Sequence, residues 1–238
     1  MSTQSRNPLA IGRRAFLAGA GALVLAGCTS TRETARLARP AAPPPPVTPA
    51  MYQAMPDERF PIPQVDVSQV APQWWRSEVD YPTTETVGTV IVDTPNRYLY
   101  HVRSGGRAMR YGVGVGRDGF LWSGRGHIAY KREWPRWNPP DEMVARQPEL
   151  EPVSIANGGM APGLDNPLGS RALYIHQGNR DTIYRIHGSP EFWTIGKAVS
   201  SGCIRLLNQD VIHLADTVRD GSTIVVIPDP GGTEQITA

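Results

Sequence analysis

The chain has 238 residues, 40% hydrophobic and 19% charged, and its 24 Gly and 23 Pro are well above the ~12% combined share of ordinary globular chains. Gly and Pro are the poorest helix formers, which argues against a helical bundle. Val, Ile, Thr and Tyr between turn residues point to a β-rich domain. A net charge of +2 gives no case for nucleic-acid binding, and two Cys are too few for a disulfide scaffold.

Residues 1–27 carry Arg6, Arg13 and Arg14 and no acid, and a short apolar run extends from Phe16 to Gly27. Spanning a bilayer takes about 20 residues, so the segment reads as an export signal. Arg13-Arg14-Ala15-Phe16-Leu17 resembles a twin-arginine signal, although Gly12 and Ala18 depart from its usual flanks. Leu25-Ala26-Gly27-Cys28 resembles the bacterial lipobox, in which the Cys is lipidated and becomes the new N-terminus. A plain signal peptide that happens to contain a Cys is the alternative. Lipidation of Cys28 implies a periplasmic, membrane-anchored lipoprotein with Cys203 as its sole free thiol in an oxidising compartment.

Residues 28–50 form a Pro-rich linker, extended and stiff. Residues 51–84 read as an irregular arm laid on the domain, since Met51, Phe60, Trp74, Trp75 and Tyr81 are too apolar for a free linker. Five prolines in that stretch prevent a long helix.

Residues 85–228 read as the main domain, ahead of a 229–238 tail. Val87–Asp93 and Arg97–Arg103 suggest a hairpin across Thr94-Pro95-Asn96. Strands are also predicted over Arg107–Gly114, within Gly119–Tyr130, and over Ala172–His176, Thr182–His187 and Ser222–Ile227. The turn between Ala172–His176 and Thr182–His187 is placed at Gly178–Asp181. Pro139–Gln147 suits a short helix. Gln209–Val218 suits a firm one, with Asn208 as its cap and Val211, Ile212, Leu214, Ala215 and Val218 on its buried side.

Several site templates fail. Gly114–Gly119 fits G-x-G-x-x-G, but a dinucleotide loop must open a helix, and strand residues follow here. The five His show no zinc-ligand spacing, so neither metal nor cofactor is expected. What remains is His187 at a strand end and, sixteen residues on, Cys203 within Ser200-Ser201-Gly202-Cys203-Ile204-Arg205-Leu206. Thiolate is the reactive form of Cys, and a His in contact can hold it as an ion pair, with a lowered thiol pKa. Gly202 permits φ > 0, which suits a turn whose N–H groups face an oxyanion. A small buried Cys and a structural His remain the bland alternatives. His176 is a rival base, about four residues or ~13 Å from His187 along the strand pair.

His187-Gly188 followed by Ser200–Leu206 resembles the signature of the L,D-transpeptidase (YkuD-type) catalytic domain, over roughly residues 85–228. Many members have His where Ser201 stands, and Leu121–Gly126 departs from their usual T-P-x-G. The resemblance implies a mainly β fold, an L,D-transpeptidase-type β-sandwich with one firm helix after the catalytic Cys. It implies an enzyme of peptidoglycan biosynthesis that takes stem peptides as donor and acceptor.

In that reading Cys203 is the nucleophile and His187 the base and then acid, oriented by the backbone of Gly188. The N–H groups of Ser201, Gly202 and Cys203 form the oxyanion hole. D-Ala leaves, a thioester forms, and a second stem peptide resolves it as a 3→3 cross-link. Water as acceptor would make a carboxypeptidase, and an outer-membrane protein as acceptor would make a tethering enzyme. A non-catalytic wall-binding lipoprotein stays open. Arg205 either binds a substrate carboxylate or fixes the loop by an ion pair. Ser200, Trp193 and Tyr174 are candidate substrate contacts, and Glu133–Pro140 either rims the cleft or packs on the sheet.

Overall fold

Short runs of branched and aromatic residues suit a pleated, half-buried backbone, and here Gly, Pro and Asn cut them into brief strands. The computed structural model of the protein describes residues 47–116, 122–200 and 202–228, within the compact unit Pro44–Ala238. The unit Met1–Pro43 holds the export-signal and lipobox readings and lies outside the described residues, as do Ser201 and the 229–238 tail.

The described residues form β1 (Ser77–Asp80), β2 (Val90–Asp93), β3 (Tyr98–Arg103), β4 (Arg107–Gly112), β5 (Val115–Gly116) and β6 (Gly124–Glu133). Then come α1 (Asp141–Arg146), β7 (Arg171–Gln177), β8 (Arg180–Ser189), β9 (Ala198–Ser200), β10 (Ile204–Leu207), α2 (Asn208–Thr217) and β11 (Thr223–Ile227). The fold is mainly β with one firm helix after Cys203, as expected.

Nine strands make one sheet in the order β1-β4-β3-β2-β11-β6-β7-β8-β10, and β5 pairs with β9. Neighbours in the large sheet are antiparallel except β2 with β11 and β8 with β10. The chain runs on past β4, and Gly114 exchanges both backbone hydrogen bonds with Arg205 of β10, each at 2.9 Å. The β4 side of the strand order thereby meets its β10 end, so the sheet curls round on itself.

The apolar stripe of α2 packs on β7, β8 and β10. Val211, Leu214, Ala215 and Val218 share one core with Leu173, Ile175, Ile186, Ile204, Leu206 and Ile224. Each such side chain contributes about 1.5–3 kcal/mol when fully removed from water. Lys131 of β6 donates to the carbonyls of Ala215 and Val218 at 2.7 and 2.6 Å, where a cation meets the negative end of the helix dipole.

Two local expectations are corrected. Asn208 is the first residue of α2 rather than its cap, and no side chain caps that end. Its Oδ1 instead accepts the N–H of Ser170 at 2.9 Å. The hairpin between β7 and β8 turns on Gly178-Asn179, because Gln177 pairs with Arg180. His176 therefore pairs with Asp181, and His187 with Ala172. The extra residues are taken up by a bulge, where Ile183 has φ 60. Its N–H is held by Asp181 Oδ1 at 2.8 Å, and Thr182 Oγ1 donates to the Ile175 carbonyl at 2.7 Å.

The 51–84 stretch is more regular than expected, since β1 adds to the sheet beside β4. Tyr52 is fully buried in a cluster with Val65, Val67, Val70 and Leu207. Its hydroxyl donates to Asp210 Oδ2 at 3.2 Å and accepts the Arg76 N–H at 2.6 Å. Farther along, Glu58 takes two hydrogen bonds from Arg171, at 2.8 and 3.0 Å, and one from Trp134 Nε1 at 2.9 Å.

Candidate active site

Parallel pairing of β8 with β10 sets Ile204 opposite Ile186, Arg205 opposite His187 and Leu206 opposite Gly188. Side chains alternate along a strand. Ile186, Ile204 and Leu206 belong to the core, so His187 and Arg205 face the other way. Cys203 lies in the bend just before β10, outside the strand pairing. His187 and Cys203 line one cavity of about 590 Å³, together with Ser200, Arg205, Trp193 and Lys197.

His187 is 4% exposed. Its Nδ1 lies 2.5 Å from the Gly188 carbonyl. A carbonyl only accepts, so Nδ1 carries the proton and Nε2 is the basic nitrogen. Burial holds the ring's pKa down to about 4; the Gly188 and Pro167 carbonyls push it up, and the charges of Arg205 and Arg185 push it down. The imidazole is thus neutral near pH 7.

Cys203 is a free thiol, partly exposed. Burial of its sulfur pushes the thiol pKa up, against the Arg185 N–H and the Arg185 and Arg205 charges. Both directions favour the neutral forms over the thiolate–imidazolium pair. Nothing from His187 offsets the burial, and among the described residues no hydrogen bond joins the two side chains. Neutral thiol and neutral imidazole face one cavity.

The turn before Cys203 is pinned by Ser200, whose Oγ donates to the Cys203 carbonyl at 2.7 Å and accepts the Gly202 N–H at 3.3 Å. Gly202 has φ 121, and a Cβ there would lie 3.0 Å from Tyr184 Cε1. Only glycine meets both conditions easily.

Arg205 forms an ion pair with Glu191, in the loop after β8, which is the loop-fixing alternative. Trp193 is 45% exposed at the cavity. Tyr174 is not among its lining residues: its ring stacks on Tyr130 at 4.4 Å, and the Arg185 guanidinium covers it at 4.2 Å. These neighbours hold the ring on the β6–β8 face. His176 is also outside the cavity, against Tyr130 and His127.

The aromatic segment divides between its two readings. Trp134 is buried with Ile62 and Ile212, while Trp137 and, from α1, Met143 form one wall of the cavity. Sequence reasoning missed Asp165, Glu191 and Lys197, which also line it. Isolated charges in loops carry no spacing signal that would have found them.

Residues 88–227 match the family model of the L,D-transpeptidase catalytic domain, YkuD. The chain is 30% identical over 154 residues to the probable L,D-transpeptidase YbiS of Escherichia coli, covering 63% of this chain and 47% of that protein. It thus spans about half the length of such curated relatives. A solved structure from Brucella melitensis, described as a probable carnitine operon oxidoreductase, is 41% identical, covering 68% of this chain and 99% of that one with a TM-score of 0.47. That name stays with that protein. Gly114 and Gly116 lie in strand pairings with β10 and β9, and the rest of the G-x-G-x-x-G run, 117–119, lies outside the described residues. A Stackebrandtia nassauensis L,D-transpeptidase structure is 20% identical, covering 61% of this chain and 57% of that one with a TM-score of 0.40. On the family match, the chain belongs to the L,D-transpeptidase catalytic-domain family, a family of enzymes.

Proposed function

We propose that the protein is a peptidoglycan L,D-transpeptidase that forms 3→3 cross-links through a thioester on Cys203. The observation that supports this reading most is the single cavity that His187 of β8 and Cys203, in the bend before β10, both line.

As the sulfur attacks the donor carbonyl, the thiol proton passes to Nε2 of His187. The imidazolium so formed is steadied by the Gly188 carbonyl at Nδ1. Negative charge on the carbonyl oxygen is met by backbone N–H groups of Ser201, Gly202 and Cys203, with the Gly202 N–H first leaving Ser200 Oγ, which accepts it at 3.3 Å in the resting site. The C–N bond breaks, His187 protonates the departing D-Ala amine, and a thioester remains. The amine of a second stem peptide then attacks the thioester and frees the thiol. Because the pair starts neutral, charge is created only as the bond forms, where a low-dielectric site with aligned dipoles acts most strongly.

Arg205, tied to Glu191, serves this reading mainly by holding the cavity wall. Lys197 offers a cation for a substrate carboxylate. Export with lipid anchoring through Cys28 in the periplasm belongs to the same proposal. Labelling with palmitate that is equal in wild type and Cys28→Ala would remove it.

The test of function is mass spectrometry of muropeptides after incubation with disaccharide-tetrapeptide. Wild type should release D-Ala and give 3→3 dimers, and Cys203→Ala should give neither. Tripeptide without dimers would make it a carboxypeptidase. No product, together with no carbapenem adduct on Cys203, would leave only a wall-binding role.

A further inference from the structure

A second cavity, of about 660 Å³, is lined by residues from β3, the end of α2 and the start of β11, and by none that line the first. It brings together His101, Arg103 and Arg219 with hydroxyls of Thr86, Thr89, Thr217 and Ser222, and no carboxylate is among its lining residues. The two cavities lie toward opposite ends of α2. Asn208 at its start lies beside Gly188, and Thr217 at its end lines the second cavity. A ten-residue helix separates such points by ~15 Å.

The two guanidinium groups have no ion-pair partner among the described residues, and Arg103 Nε is buried without a hydrogen-bond acceptor. The nearest acids in sequence do not help. Glu85 holds Arg125 at 2.6 and 2.9 Å, and Asp216 and Asp220 are exposed and pair with neither arginine. The helix end does not need these cations either. Lys131 takes the Ala215 and Val218 carbonyls, and Thr217 Oγ1 takes those of His213 and Leu214 at 3.0 and 3.1 Å. His101 is 6% exposed with Nδ1 3.4 Å from Thr217 Oγ1. Burial and then the Arg103 charge push its pKa down to about 4, so it enters the cavity as a neutral polar group.

Two arginines without an ion-pair partner among the described residues, with the Ser222 hydroxyl beside them, form a cationic, acid-free lining; Thr217 Oγ1 is spent on helix carbonyls, and Thr86 and Thr89 bond each other at 3.2 Å. We propose that this cavity binds a phosphate group, as inorganic phosphate or a phosphomonoester. Guanidinium forks match tetrahedral oxyanions bidentately. A phosphomonoester carries about −1.5 to −2 near pH 7, which offsets both arginines, whereas a carboxylate would leave one uncompensated. The proposal is independent of the transpeptidase reading.

The test is an NMR titration of the isotope-labelled protein at fixed ionic strength with inorganic phosphate, glycerol phosphate and acetate. Saturable shifts at the amides of His101, Arg103 and Arg219, with a dissociation constant on the order of 1 mM or below, support the site. Affinity at least about tenfold weaker for acetate, and for Arg103→Gln and Arg219→Gln, is also expected. No saturation, equal binding of acetate, or unchanged binding in both variants overturns it. The wild-type titration decides even if a variant fails to fold. Sedimentation with phosphatidylcholine vesicles, with and without phosphatidic acid, distinguishes the source. Capture that depends on phosphatidic acid and is lost in the double variant marks a lipid headgroup, and free phosphate binding without capture marks a soluble ligand. Capture that persists in the double variant counts against the site.

Discussion

A Cβ added to Gly188 would lie 2.2 Å from Oδ1 of Asn208. The glycine of the His-Gly pair is therefore demanded by a side chain twenty residues away. That same Oδ1 accepts the Ser170 N–H at 2.9 Å, so it joins the start of β7 to the end of β8 beneath His187. Gly188→Ala should lose about 1–3 kcal/mol through overpacking. Asn208→Ala should lose a similar amount by leaving a buried N–H unpaired. Because the clash needs both groups, the double variant should cost less than the sum of the two. Urea unfolding of all four proteins measures this, and strict additivity would refute the contact.

The neutral resting pair predicts the pH dependence of acylation. His187 titrates near 4, and the Cys203 thiol lies above its usual range. The rate of carbapenem adduct formation should hold roughly level from about pH 5.5 to 8 and fall only below about 5. An acid limb centred on the ordinary histidine value of 6.5 would show that burial does not hold the imidazole down. His187→Ala should slow the same reaction by about 10²–10⁴.

Stability should fall on acidification. His187, His101 and His213 are all lowered, mainly by burial, from 6.5 to about 4. Their contribution is fully present above pH 6.5 and is lost as pH falls through about 4. Burial raises Asp210 from 3.8 to about 7. Its contribution is present below 3.8 and lost as pH rises through about 7, the opposite slope. Three groups against one give a net loss between pH 6.5 and 4. Asp210→Asn removes the opposing slope and should steepen that loss, as thermal unfolding across the range will show.

Glu58 ties the N-terminal arm to the domain. Burial favours its protonated form, but hydrogen bonds from Arg171 and Trp134 outweigh that and hold its pKa below the usual value. Glu58→Gln should cost about 1.5–3 kcal/mol, the range for hydrogen bonds to a charged group. Trp134 should become more exposed, so a red-shifted tryptophan emission should accompany a lower urea midpoint.

The closed sheet makes its own prediction. Ile204 is fully buried beside Cys203 and lies opposite Ile186. Ile204→Ala should cost about 2–5 kcal/mol. The cavity it leaves lies under the turn that presents the thiol, so carbapenem acylation should slow along with the loss of stability.

Strand-forming runs, the amphipathic pattern of α2 and the two-part motif around His187 and Cys203 were legible along the chain. The strand runs and the helix pattern are written in residues a few positions apart, the range over which local sterics and side-chain alternation act, and the motif in two short runs sixteen residues apart. The role of Asn208, the sheet closure through Gly114 and Arg205, the strand hidden in the arm and the register of His176 were not. Each depends on backbone partners or bulges that form only when distant segments meet. Protonation states divide in the same way. Amino-acid type sets the ordinary pKa of a thiol or an imidazole, but burial moved His187 down and Cys203 up. How much water surrounds a group is decided by the whole fold, since desolvation sums over every atom packed nearby, whichever part of the chain supplied it.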